Sequence, residues 1–193
     1  VADVTVDSDS LHLQFSERGD LLLVEACFPR CSKPDTKALL LSAAQGMLVF
    51  DHDTPGEWQL ERDANQSLTT LVFTDPSGNA VRRWIIPQKG WMISFSSSQS
   101  GKARLASGMA FRPPPSSGFG YLLEQTRYLL FDGSSVESVG LDETEQADRV
   151  SKDWFGFRNR FWTVMALPGA PLSITPLSGA SVEDPSIEIA ATG

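Results

Sequence analysis

The sequence predicts an all-β protein: a large antiparallel β-sandwich with one short helix. Short alternating or wholly apolar runs recur along the chain and are separated by Gly, Pro, Asn, Asp and Ser, a pattern typical of strands joined by turns. A single segment, LDETEQADRVSKDW, has helical character, because its acids come early and Arg149 and Lys152 come late, which suits the helix dipole. One helix among about a dozen candidate strands favours a sandwich.

The first elements form a predicted hairpin. In SLHLQFSE the apolar residues Leu11, Leu13 and Phe15 share one face of a strand, whereas His12 lies on the other. A turn at Gly19 leads into LLLVEACF, a more buried strand. KALLLSA and GMLVFDH follow as further strand candidates.

The clearest hairpin signal lies in SLTTLVFTDPSGNAVRRWIIP. The β-branched and aromatic run is followed by DPSGN, in which Pro fixes φ and Gly and Asn tolerate positive φ. VRRWII then runs back, and WMISFSSS follows a turn at Gly90. The Pro113–Pro115 triplet belongs outside a sheet or at its edge, since Pro cannot donate to a ladder. YLLEQTRYLLFDG and SSVESVG are the next strand candidates.

Composition limits the function classes. The chain has 193 residues, 41% of them hydrophobic, and a net charge of −8. This suits one domain, residues 1–193, with a substantial core. No apolar run is long enough to span a bilayer. An acidic chain repels phosphate backbones and anionic lipid, so the sequence argues against nucleic-acid binding.

Residues that carry chemistry are few. His12 and His52 are the only histidines; the first is expected at a strand surface, and the second lies in DHDTPGE, a turn with capping acids. No G-x-S-x-G or phosphate-binding loop occurs. We therefore predict no catalytic residues, no metal and no cofactor. Cys27 and Cys31 form either a disulfide or two free thiols, and the spacing leaves both open.

The aromatic segment DWFGFRNRFW has both a structural and a partner-binding interpretation. Read as one strand through Leu167, it places a core face at Phe155, Phe157, Phe161, Met165 and Leu167. The opposite face would carry Trp154, Arg158, Arg160 and Trp162. Trp and Arg dominate interface energetics, so this second face is the candidate docking surface; core packing is the alternative.

Several stretches, in order, resemble the large periplasmic domain of the YidC family of bacterial membrane protein insertases. They are SLHLQFSERGDLLLVEACFPR, KALLLSA with GMLVFD, LTTLVFTDPSGNAVRRWIIPQKGWMISFSSS, and DWFGFRNRFWTVMALP, covering roughly residues 4 to 168. Gly19-Asp20 stands where the family often has two glycines, and the tail after Pro168 matches little. Because the family's insertase groove lies in its membrane part, no functional residue carries over.

The resemblance implies a β-supersandwich of the galactose mutarotase-like kind, excised from an inner-membrane protein and facing the periplasm. It implies a monomeric, non-catalytic accessory domain that contacts Sec translocon components or other periplasmic domains during membrane protein insertion and folding. The alternative is a secreted carbohydrate-binding or mutarotase-like β-sandwich. That chemistry needs a general acid and base, and only His12 and His52 are available.

Overall fold

The computed structural model describes residues 4–27, 30–31, 37–42, 48–50, 55–99, 102–106, 127–131, 133–140, 149–151, 154–158, 163–167, 172–176 and 186–191. Across these ranges the protein is all-β, with no helix. Its strands are β1 Val4–Asp7, β2 Leu11–Phe15, β3 Leu21–Cys27, β4 Lys37–Ser42, β5 Leu48–Phe50, β6 Gln59–Ala64, β7 Leu68–Thr74, β8 Val81–Pro87, β9 Ser94–Ser97, β10 Lys102–Ala106, β11 Arg127–Phe131, β12 Val136–Gly140, β13 Arg149–Ser151, β14 Phe155–Arg158, β15 Thr163–Ala166, β16 Leu172–Pro176 and β17 Ser186–Ala191.

The predicted helix is wrong where it can be checked. Its later part contains β13, which pairs antiparallel with β16. Val150 is β-branched and fits a pleated sheet better than a helix, and pairing with Ser173 outweighs the weak charge pattern. Residues 141–148 lie outside the described residues.

The chain divides into two compact units, Val1–Ser100 and Gly101–Gly193. Each has its own hydrogen-bonded strands and is described by itself. The single domain expected over residues 1–193 stays a prediction.

The first unit holds two four-stranded antiparallel sheets, in the orders β1-β2-β3-β4 and β6-β7-β8-β9. The predicted alternation in β2 is confirmed, because Leu11, Leu13 and Phe15 are buried and the residues between them are not. The Phe15 ring lies 5.3 Å from the Trp84 ring and 6.4 Å from the Phe73 ring, centroid to centroid. These contacts join the inner faces of the two sheets in an aromatic core.

The β7–β8 hairpin forms where the turn chemistry predicts it. Gly78 has a φ of 75°, and its amide donates to the Asp75 carbonyl at 3.0 Å. The Asp75 carboxylate accepts from the amide of Ala80 at 3.0 Å and from the hydroxyl of Ser77 at 2.7 Å. A buried aspartate thus satisfies the donors of the turn that closes the hairpin.

Strand β6 lies at one end of its sheet, and all six of its residues are exposed. Three consecutive charged residues, Glu61, Arg62 and Asp63, occupy its middle. The Arg62 guanidinium donates to the carbonyl of Thr5 in β1 at 3.5 Å, which links this edge to the edge strand of the other sheet.

The second unit contains the antiparallel sheet β12-β11-β14-β15, and β13, β16, β17 and β10 lie side by side in another. The continuous strand expected from Trp154 to Leu167 is wrong. The chain reverses between Arg158 and Thr163, which are paired across the β14–β15 ladder. A reversal breaks the period of two, so face assignments made on one side of it do not extend to the other.

Candidate functional site

The candidate docking surface lies on one face of the β11–β14–β15 sheet. Register places Leu129 beside Gly156, and Gly156 beside Met165. The next row places Arg127 beside Arg158, which pairs with Thr163. We call the face formed by Arg127, Phe131, Trp154, Arg158 and Met165 the basic-apolar face. Leu129, in the middle row, is buried and does not contribute accessible surface.

An aromatic stack sits at one end of this face. The rings of Phe131 and Trp154 are 5.8 Å apart between centroids and only 7° from parallel. Both side chains are half-buried. Offset stacking of this kind fixes the indole in one position, so Trp154 is a rigid part of the surface.

Two arginines lie at the opposite end. Arg127 donates from Nε to the hydroxyl of Ser138 at 2.9 Å and from Nη2 to the carbonyl of the same residue at 3.2 Å. Arg158 is exposed on the neighbouring strand. Like charges directly opposite each other on adjacent strands are unfavourable. Arg127 is held by its hydrogen bonds to Ser138, and Arg158 is the exposed cation of this row.

The structure brings two of the four predicted docking residues, Trp154 and Arg158, onto one face, as the period of β14 requires. Arg160 and Trp162 lie outside the described residues.

On the predicted core face Phe155 is buried. Met165 and Leu167 were predicted to be core and are instead exposed, at 47% and 67%. The reversal after Arg158 is the reason, and it adds Met165 to the basic-apolar face.

Sequence reasoning missed a buried polar centre in the first unit. Arg82, in β8, is only 1% exposed and donates from Nη1 to Oδ1 of Asp20 at 2.7 Å. The same nitrogen reaches the Arg18 carbonyl at 3.0 Å, and Nε donates to Oε1 of Gln99 at 3.0 Å. The guanidinium carbon lies 4.7 Å from the centroid of the Trp58 ring.

We assign this polar centre a structural role, because the guanidinium of Arg82 is buried among residues of its own unit. The available signal was the alternation in VRRWII, which places Arg82 on the same face as the buried Trp84. The indole Nε1 of Trp84 also donates to the Gly19 carbonyl at 2.9 Å. The β2–β3 turn is therefore tied to β8 by both side chains.

His12 has carboxylates on both sides. It stands between Asp7 and Glu25 in the cross-strand register. Its Nδ1 lies 2.6 Å from Oδ1 of Asp7, and its Nε2 lies 3.9 Å from Oε2 of Glu25. His52, the other histidine, lies outside the described residues.

Cys27 and Cys31 form a disulfide, with their Cα atoms 4.8 Å apart. Cys27 is buried at the end of β3, and its amide donates to the Ser10 carbonyl at 2.9 Å. The Cys31 amide donates to the Asp9 carbonyl at 3.2 Å. These two hydrogen bonds hold the disulfide-bridged cysteines at the end of β3 against the β1–β2 turn.

Among the described residues, no group of three or more His, Cys, Asp or Glu side chains is arranged to hold a metal ion. The same part of the chain contains no helix with the length and hydropathy needed to cross a membrane. No family model, curated protein or solved structure matches the chain.

Proposed function

We propose that this chain is a non-catalytic periplasmic accessory domain of an inner-membrane protein insertase or chaperone. Its role is to contact partner proteins during membrane protein insertion and folding. The ordered resemblance to the YidC family motivates this proposal, and the antiparallel all-β architecture is compatible with it. The observation that carries the docking role is the basic-apolar face.

The composition of this face supports protein docking. Trp, Met and Arg are enriched in protein interfaces, and Trp and Arg are enriched among the residues whose loss costs most binding energy. Here Trp154 is held by its stack on Phe131, so little side-chain entropy is lost when a partner covers it. Arg158 ends β14, the strand that follows Trp154, and lies on the same face, with Met165 exposed on the next strand.

Charge suggests the chemistry of the partner. The chain carries a net charge of −8, yet this face places two arginines side by side. A partner surface with carboxylates at one end and an apolar area at the other complements this arrangement. The family resemblance suggests periplasmic domains of the Sec translocon's accessory subunits as the first candidates.

A pull-down with those domains tests the proposal. Arg158→Glu reverses a charge at the face, and we expect it to weaken binding about tenfold or more. Arg83→Glu is the matched control, because Arg83 is an exposed arginine on a strand of the first unit. Equal binding by wild type and folded Arg158→Glu would reject the docking face. Failure of every accessory-subunit domain to bind wild type would reject the proposed partners.

The His12 arrangement favours carbohydrate binding as a second candidate function. Asp7 orients the imidazole through Nδ1, so Nε2 is directed toward Glu25. Histidine and glutamate are the residue types that mutarotase-like chemistry uses as general acid and base, and here the side chains of His12 and Glu25 are 12% and 23% exposed. Calorimetric titration with hexoses tests this candidate: saturable heat that His12→Ala abolishes would support it, and the absence of heat with wild type would reject it.

A further inference from the structure

A second interaction surface lies on the first unit, in the loop between β8 and β9. Trp91 and Met92 are adjacent in sequence and remain 49% and 71% exposed. They follow the exposed Lys89. A large aromatic and a flexible thioether at the tip of a connecting loop differ from the scattered single apolar residues of an ordinary surface.

The base of this loop is fixed by hydrogen bonds from two other turns. The Gln88 amide donates to the Ser67 carbonyl at 2.8 Å, and the Asp9 amide donates to the Gln88 carbonyl at 2.9 Å. The Gly90 amide donates to the Ser10 hydroxyl at 3.2 Å. Because the base is anchored, the tip is presented without a large ordering cost on binding.

Charge around the tip is unusual for this chain. The protein has 24 acidic residues, but the segment from Ile85 to Gln99 has none, and Lys89 is its only charged residue. Arg30 is exposed and also cationic, and it precedes Cys31, whose amide donates to the Asp9 carbonyl. The nearby carboxylate of Asp9 is half-buried and accepts from Nε2 of Gln88 at 3.4 Å.

We propose that this loop, Gln88 to Ile93, inserts its tip into the headgroup region of a lipid bilayer. Trp is enriched at membrane–water interfaces, where its ring is apolar and its N–H stays hydrated. Met92 supplies additional apolar surface, and Lys89 keeps its ammonium in water while its stem lies along the interface. The loop itself carries no carboxylate, and the Asp9 carboxylate lies at its base beside Gln88, so insertion of the tip at Trp91 and Met92 does not desolvate an anion of the loop.

A lipid surface fits this loop better than a protein partner does. A stable protein interface buries about 800 Å² on each side, which two adjacent side chains at a loop tip do not supply. A bilayer requires no complementary pocket. The inference does not depend on the basic-apolar face, which belongs to the other unit.

Vesicle co-flotation of the 193-residue chain tests this proposal. We expect binding to phosphatidylcholine vesicles at millimolar lipid that salt leaves unchanged, since apolar insertion drives it. On vesicles that also contain phosphatidylglycerol, we expect binding to rise with salt, because salt screens the repulsion of a chain with net charge −8. Trp91→Ala with Met92→Ser should reduce binding about tenfold or more.

The matched control is Leu60→Ser, which removes an exposed apolar side chain from β6 and should leave binding unchanged. Circular dichroism confirms that each variant is folded. No flotation of wild type, or equal flotation of wild type and the Trp91–Met92 double variant, would overturn the proposal. A tip that instead binds the Sec accessory domains, with no affinity for vesicles, would also overturn it.

Discussion

The guanidinium of Arg82 and the carboxylate of Asp20 form an ion pair that joins the two sheets of the first unit across 62 residues of sequence. Burial makes the pair sensitive to the loss of one partner, since the remaining charge has no water to replace it. We expect Arg82→Met to lower the free energy of unfolding by about 3–5 kcal/mol, as measured by urea denaturation. Arg83→Met, at the exposed neighbouring position, should stay within about 0.5 kcal/mol of wild type.

Adding Asp20→Asn to Arg82→Met tests the electrostatic cause. The double variant should recover part of the loss, because the buried carboxylate no longer carries a charge. If Arg82→Met unfolds at the same urea concentration as wild type, the stabilising role assigned to the ion pair is contradicted.

Gly19 and Gly78 give a matched pair of turn substitutions. Both have a positive φ, at 79° and 75°, but a Cβ at Gly19 would lie 2.6 Å from Cδ2 of Phe73, whereas a Cβ at Gly78 meets nothing within 4 Å. Gly78→Ala should therefore cost about 1–2 kcal/mol for the left-handed backbone alone. Gly19→Ala should cost a further 1–3 kcal/mol, roughly, for overpacking. Thermal unfolding of the two variants measures the difference, and equal losses would show that Phe73 moves aside freely.

Asp75 caps the β7–β8 turn with both carboxylate oxygens. Asp75→Ala leaves the buried Ala80 amide without its side-chain acceptor, so we expect a loss of about 1–3 kcal/mol in unfolding free energy. Ser77→Ala removes only the partly buried hydroxyl contact, and its effect should be about 1 kcal/mol or less. The opposite order of the two losses in chemical denaturation would rule out Asp75 as the main organiser of this turn.

The Cys27–Cys31 disulfide closes a short loop, with a sequence separation of 4. The chain-entropy relation gives a stabilisation of about 2 kcal/mol for a loop of this length. Unfolding with and without reductant measures it, and the Cys27→Ala, Cys31→Ala variant should match the reduced protein. Thiol titration of the oxidised protein should find no free thiol; two titratable thiols would contradict the bridge.

Local chemistry made much of the first unit predictable. The alternation in β2 and the DPSGN turn each depend on neighbours in sequence, and both are confirmed. Arg82 was harder to place, because both faces of VRRWII carry one arginine and two apolar residues. The Arg82 side chain points inward because β8 pairs with β7, where Phe73 lies opposite Arg82 and Leu71 opposite Trp84. It also depends on the ion pair with Asp20, which is distant in sequence.

The docking surface, too, was predictable only where it depends on residues that are neighbours in sequence. The period of two places Trp154 and Arg158 on one side of β14, and that much follows from the sequence. The position of the reversal does not, because FRNRFW contains no Gly or Pro, and its one turn-forming residue, Asn159, stands alone among basic and aromatic residues. Because the reversal was not predicted, Met165 and Leu167 were assigned to the core, although both are exposed.

The charged, solvent-exposed β6 strand affects how this protein behaves in concentrated solution. An open strand edge can template the addition of another chain, and consecutive charges discourage such pairing because each added copy brings the same charges. The Arg62 contact to Thr5 also occupies a main-chain acceptor on the adjoining edge. Sheet extension from this side is therefore disfavoured, and we expect the protein to resist fibrillar self-assembly through the β6 edge.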